Sequence, residues 1–104
     1  MKQQLNAERR VSDRYAVQNL ICDAGTLVDL SPEGACLERH TAWPVGTVRL
    51  VTIRSEQEQI RIEAECVHSE LPTPERYRLG LRFASVDAAD RQVLERLATR
   101  HAGY

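Results

Sequence analysis

From Ile60 to Cys66 the chain reads Ile, Arg, Ile, Glu, Ala, Glu, Cys, an uninterrupted alternation of apolar and charged residues. Only an extended strand with one wet face keeps such a row on two sides, since a helix would scatter the apolar positions around its axis. Tyr77 to Phe83 repeats the pattern, with Tyr77, Leu79, Leu81 and Phe83 set between Arg78, Gly80 and Arg82. A lone pair of strands is unstable in water, so these two need further strands to share an apolar face. The chain is therefore expected to be mainly β. Leu71-Pro72-Thr73-Pro74 is expected to break the first of these strands, and Gly80 to mark a close backbone approach in the second.

The remaining strands are shorter. Tyr15 to Cys22 reads as a first strand before an Asp23-Ala24-Gly25 turn. Thr26 to Leu30 reads as the second, and Ala35 to Arg39 returns as the third. Thr41-Ala42-Trp43-Pro44-Val45-Gly46 is a connector, and Thr47 to Ile53 is dense enough in β-branched residues to suggest a well-buried fourth strand. Ser55 to Gln59 is a polar turn. Asp87 with Asp90 opens a helix, Val93, Leu94, Leu97 and Ala98 form its apolar stripe, and Gly103 lies past its end. Six short strands followed by one helix imply a small six-stranded antiparallel β-barrel with a C-terminal α-helix plugging an open end. Met1 to Arg14 has only Leu5 and Val11 as larger aliphatics after the initiator, amid charged residues, and is expected to be a flexible segment ahead of a domain at 15–104.

A chain of 104 residues supports one modest core. Its net charge of -1, with both signs interspersed, argues against a general nucleic-acid or membrane-surface binder, so any anion site must be local. Cys22, Cys36 and Cys66 are odd in number and set among apolar residues, which reads as small buried hydrophobes in a reducing compartment. No run reaches membrane-spanning length and the first residues lack an apolar centre, so no membrane insertion is expected and the cytoplasm is the expected location. Neither an activated nucleophile nor metal-ligand spacing is present: His40, His68 and His101 are far apart and there is no C-x-x-C. No catalysis and no cofactor are expected. Trp43 is read as filler for the barrel mouth beside Pro44 rather than as a stacking platform.

Asp29-Leu30-Ser31-Pro32-Glu33-Gly34 joins ligand chemistry to tight backbone geometry. On a strand Asp29 and Ser31 share one face while Val28 and Leu30 share the other, and Ser31-Pro32-Glu33-Gly34 fits a β-turn. Converging there are a carboxylate, a hydroxyl and bare backbone, with Gly34 leaving room for a ligand. The plainer reading is that Asp29 and Ser31 cap backbone amides, and chance alone produces the pattern about once in a few tens of such chains. Arg10 and Arg14, preceded by Arg9, form an R-x-x-x-R pair on the polar lead-in, placed to fold back over the barrel rim. Arg78 with Arg82 and Arg96 with Arg100 repeat the spacing but read as solvated faces of a strand and a helix.

With Arg10 to Arg14 and Asp29 to Gly34 both intact, the sequence resembles the PilZ domain family, bacterial receptors for cyclic di-GMP. Trp43-Pro44-Val45-Gly46-Thr47 and Tyr77 to Phe83 are similar to that family's connector and final strand. The resemblance implies a PilZ-like barrel that binds cyclic di-GMP through Arg10, Arg14, Asp29, Ser31 and Gly34 and signals to an unidentified effector protein. It also implies a role for Arg9 in members that hold an intercalated pair of ligand molecules. The alternative it leaves open is a nucleotide-independent adaptor of a pilus or motility system.

Overall fold

The computed structural model describes residues 15–103. In chain order the elements are β1 (Tyr15–Ala16), β2 (Ile21–Cys22), β3 (Thr26–Leu30), β4 (Gly34–Arg39), β5 (Val48–Arg54), β6 (Gln59–Thr73), β7 (Arg76–Phe83) and α1 (Ala88–Arg100). All seven strands belong to one sheet of order β1-β3-β4-β7-β6-β5-β2, and every pairing is antiparallel.

The expected first strand is two strands, which makes the count seven rather than six. β1 pairs with β3 and β2 with β5, at opposite edges of the sheet. Between them Val17 donates to the Val28 carbonyl, Gln18 donates to the His101 carbonyl and Asn19 takes a left-handed φ of 64°, so no ladder runs through. The edges of a flat seven-stranded sheet stand roughly 29 Å apart, whereas the link from Ala16 to Ile21 reaches at most about 18 Å. The sheet must curl. That short crossover closes it into a half-barrel.

Leu30, Leu37, Leu79, Leu81 and Val51 fill the interior, joined by Leu94, Leu97 and Ala98 of α1. The helix begins where expected, with Asp87 accepting from the Asp90 amide at 2.8 Å, and it lies against β1, β3 and β6. Trp43 is buried, and the guanidinium carbons of Arg39 and Arg49 stand 4.8 and 5.1 Å from its ring centre.

Four local expectations need correcting. β5 is only half-buried: Val51 and Ile53 face the core while Val48 and Leu50 are more than half exposed, because near the sheet edge no element among the described residues covers its outer face. β6 runs on through Leu71 and Pro72 to Thr73, since Pro72 falls inside the register shift between Glu70 and Thr73, where the ladder asks no N–H of it. The reversal comes at Pro74–Glu75, with Glu75 at φ 63°. Gly80 does meet a close neighbour, but it is the His68 side chain across a bulge, 3.1 Å from where a Cβ would stand. Of the cysteines only Cys66 is fully buried; Cys22 and Cys36 are half-buried.

Candidate functional site

The Ser31–Gly34 turn joins β3 to β4 at the rim. The Ser31 amide donates to the Gly34 carbonyl at 2.9 Å, and its Oγ accepts from the amides of Glu33 and Gly34 at 3.2 and 3.3 Å. At 1 % exposure, Ser31 sits inside the turn that it ties. Asp29 Oδ1 accepts from the Cys36 amide at 3.0 Å, across a bulge between Leu27 and Asp29. This bulge breaks the simple alternation expected of the strand: Leu27, not Val28, joins Leu30 in the core. Gly34 is required by close packing, since a Cβ there would stand 2.0 Å from the Leu81 carbonyl oxygen of β7. The backbone-capping reading of Asp29 and Ser31 thus holds in this structure, and Gly34 is needed for the fold itself.

β1 runs antiparallel to the end of β3, with Tyr15 opposite Leu30 and Ala16 opposite Asp29. The first described residue therefore lies beside the motif, between Asp29 and Ser31 in the sequence of its partner strand. Arg9, Arg10 and Arg14 lie outside the described residues.

Over residues 5–100 the chain matches the PilZ domain family. It belongs to that family. Two solved structures share the fold. One is the PilZ domain with c-di-GMP of YcgR from Escherichia coli, at TM-score 0.72 and 19 % identity, covering 90 % of this chain and 92 % of that one. The other is YcgR in complex with c-di-GMP from Escherichia coli, at TM-score 0.73 and 17 % identity, covering 89 % of this chain and 46 % of that longer one. No curated protein sequence matches.

Within this PilZ domain the described arginines near the rim are held by carboxylates. Arg82, opposite Gly34, pairs with Glu65. Arg91, on α1, places its guanidinium 2.8 Å from Glu33 Oε2, while the Glu33 carbonyl accepts from the Phe83 amide at 2.8 Å. Further off, Arg78 and Arg76 share Glu38 at 2.7 and 3.2 Å, and Arg96 holds Glu58 at 2.9 Å. Hydrogen bonds from Arg78 first and Arg76 second hold the Glu38 carboxyl below its ordinary range, and Arg96 does the same to Glu58. The arginines of the two decoy pairs are thus not simply solvated: Arg78, Arg82 and Arg96 each have an anionic partner on the fold.

A recess of about 360 Å³ lies between Cys22–Thr26 and Glu38–Thr41, at the other end of β3 and β4 from the turn. Among the described residues no cluster of His, Cys, Asp and Glu could hold a metal, and no helix is long and apolar enough to cross a membrane. Sequence reading missed the approach of Arg91 to Glu33. Nothing local to either residue signals a contact made by folding α1 across the sheet.

Proposed function

We propose that this chain is a receptor for cyclic di-GMP, bound on the rim by Arg10 and Arg14 from one side and by the Asp29–Gly34 turn from the other. The observation that carries the reading is the pairing of Tyr15 with Leu30, because it anchors the residue next to Arg14 beside the turn. Family membership and the two c-di-GMP-bound YcgR folds support it. So does the chemistry: a guanidinium grips a phosphate or the O6 and N7 edge of guanine through a planar fork and stacks on purine faces.

Signal output passes through the surface that the bound ligand and the two arginines cover, altering what an effector protein meets. Amide exchange near Arg10 is expected to slow in saturated protein; equal rates with and without ligand contradict that relay. Arg9, whose side chain would leave an extended segment on the face opposite Arg10, is assigned to a second, intercalated ligand molecule. Native mass spectrometry is expected to count two ligands on the unaltered chain and one on Arg9→Ala, and a single ligand on the unaltered chain removes the assignment.

One observation favours a second reading, a nucleotide-independent adaptor: Asp29 and Ser31 already serve the backbone, so the motif has a structural use without ligand. Calorimetric titration with cyclic di-GMP separates the two. A charge-assisted bond is worth about 1.5 to 3 kcal/mol, so Arg10→Ala or Arg14→Ala is expected to weaken binding about tenfold to over a hundredfold. Arg78→Ala, whose guanidinium is engaged by Glu38, is expected to bind as the unaltered chain does. No heat from the unaltered chain favours the adaptor.

A further inference from the structure

The rim turn carries its own anion. Glu33 stands inside the Asp29–Gly34 segment, and its carboxylate is 2.8 Å from the Arg91 guanidinium, which α1 brings across the end of the sheet. The turn beneath is firmly placed, because the Glu33 carbonyl accepts from Phe83 and the Ser31 side chain ties the Glu33 amide. Backbone position is fixed while both charged tips stay in solvent: the side chains of Arg91 and Glu33 are 46 % and 41 % exposed. An ion pair so exposed is nearly neutral in energy, so exchanging one anion for another around Arg91 costs little.

Resting on the cyclic di-GMP reading, we infer that Arg91 is a further ligand-binding residue and that Glu33 is a built-in competitor occupying the guanidinium until a ligand phosphate replaces its carboxylate. A phosphate offers Arg91 more acceptor oxygens than a carboxylate and can engage both prongs of its planar fork. Glu33 meanwhile repels the incoming phosphate and withholds the cation, so it sets the ligand concentration at which the rim fills. Exchange also loosens a tie between the motif turn and α1, which gives the helix a ligand-dependent contact. Arg96 is the internal control: it lies on the same helix and is also paired with a carboxylate, that of Glu58, which it grips through both Nε and a terminal nitrogen, remote from the rim.

The test is cyclic di-GMP titration of four chains by calorimetry. Arg91→Ala is expected to bind about tenfold or more weakly, because a charge-assisted bond is lost and Glu33 is left unneutralised. Glu33→Gln is expected to bind about two- to fivefold more tightly, a gain that mere damage to the turn would not produce. Arg96→Ala is expected to match the unaltered chain. As a second readout, the Arg91 Nε nitrogen resonance is expected to shift on saturation of the unaltered chain and not on adding equimolar sodium chloride. If the unaltered chain binds while Glu33→Gln binds no tighter, or Arg91→Ala binds equally well, this inference alone is overturned. Absence of binding by the unaltered chain overturns the receptor reading and this inference together.

Discussion

A Ser31→Ala chain is expected to lose stability even with no ligand present. Its hydroxyl accepts from two amides within a buried turn, and stranding buried donors costs about 1 to 3 kcal/mol. Gly34→Ala is expected to cost at least as much, because the new methyl must displace the Leu81 carbonyl of a neighbouring strand. Gly80→Ala, facing the movable His68 side chain at 3.1 Å, is expected to cost less. Melting temperatures rank the three, and a Gly80→Ala loss larger than that of Gly34→Ala contradicts the packing account. These residues also mark how far the sequence could be read. The D-x-S-x-x-G spacing identified the turn, since a tight turn needs small polar residues at fixed offsets. That Ser31 faces inward and Gly34 faces β7 depends on strand partners that local spacing does not encode.

At the scale of elements, the strongly periodic segments were legible and the short ones were not. Ile60–Cys66, Tyr77–Phe83 and the capped helix are where alternation or capping indicated, because each buries a long apolar row of its own. Tyr15 to Cys22 read as one strand because edge strands of two residues carry no measurable period, and because crossing from one sheet edge to the other is a long-range event. Asn19, at φ 64°, is the joint in that crossing. Holding a β-branched residue in the left-handed region costs roughly 1 to 2 kcal/mol, so Asn19→Val is expected to destabilise the chain by about that amount while Asn19→Gly is tolerated. Urea unfolding checks both. Equal stability of Asn19→Val and the unaltered chain argues that the crossover relaxes in solution.

For the molecule as a whole, acid should loosen the barrel through its ion pairs. Glu38 and Glu58 are held below their ordinary carboxyl value of 4.5 by Arg78 with Arg76 and by Arg96, so the folded chain takes up these protons later than the unfolded chain does. Their stabilisation is whole above that value and drains away as pH falls through the depressed folded values. The urea midpoint is expected to fall with acid below about pH 4.5, and the decline is expected to be shallower in Glu38→Gln; parallel declines contradict the role given to that pair. The central claim concerns where the ligand lands, and amide chemical-shift mapping during titration with cyclic di-GMP tests it most directly. The account predicts the largest shifts at Tyr15–Ala16 and Asp29–Gly34, with Val45–Arg49 little changed. Shifts concentrated instead around the Cys22–Thr26 and Glu38–Thr41 recess, or none at saturating ligand, contradict it.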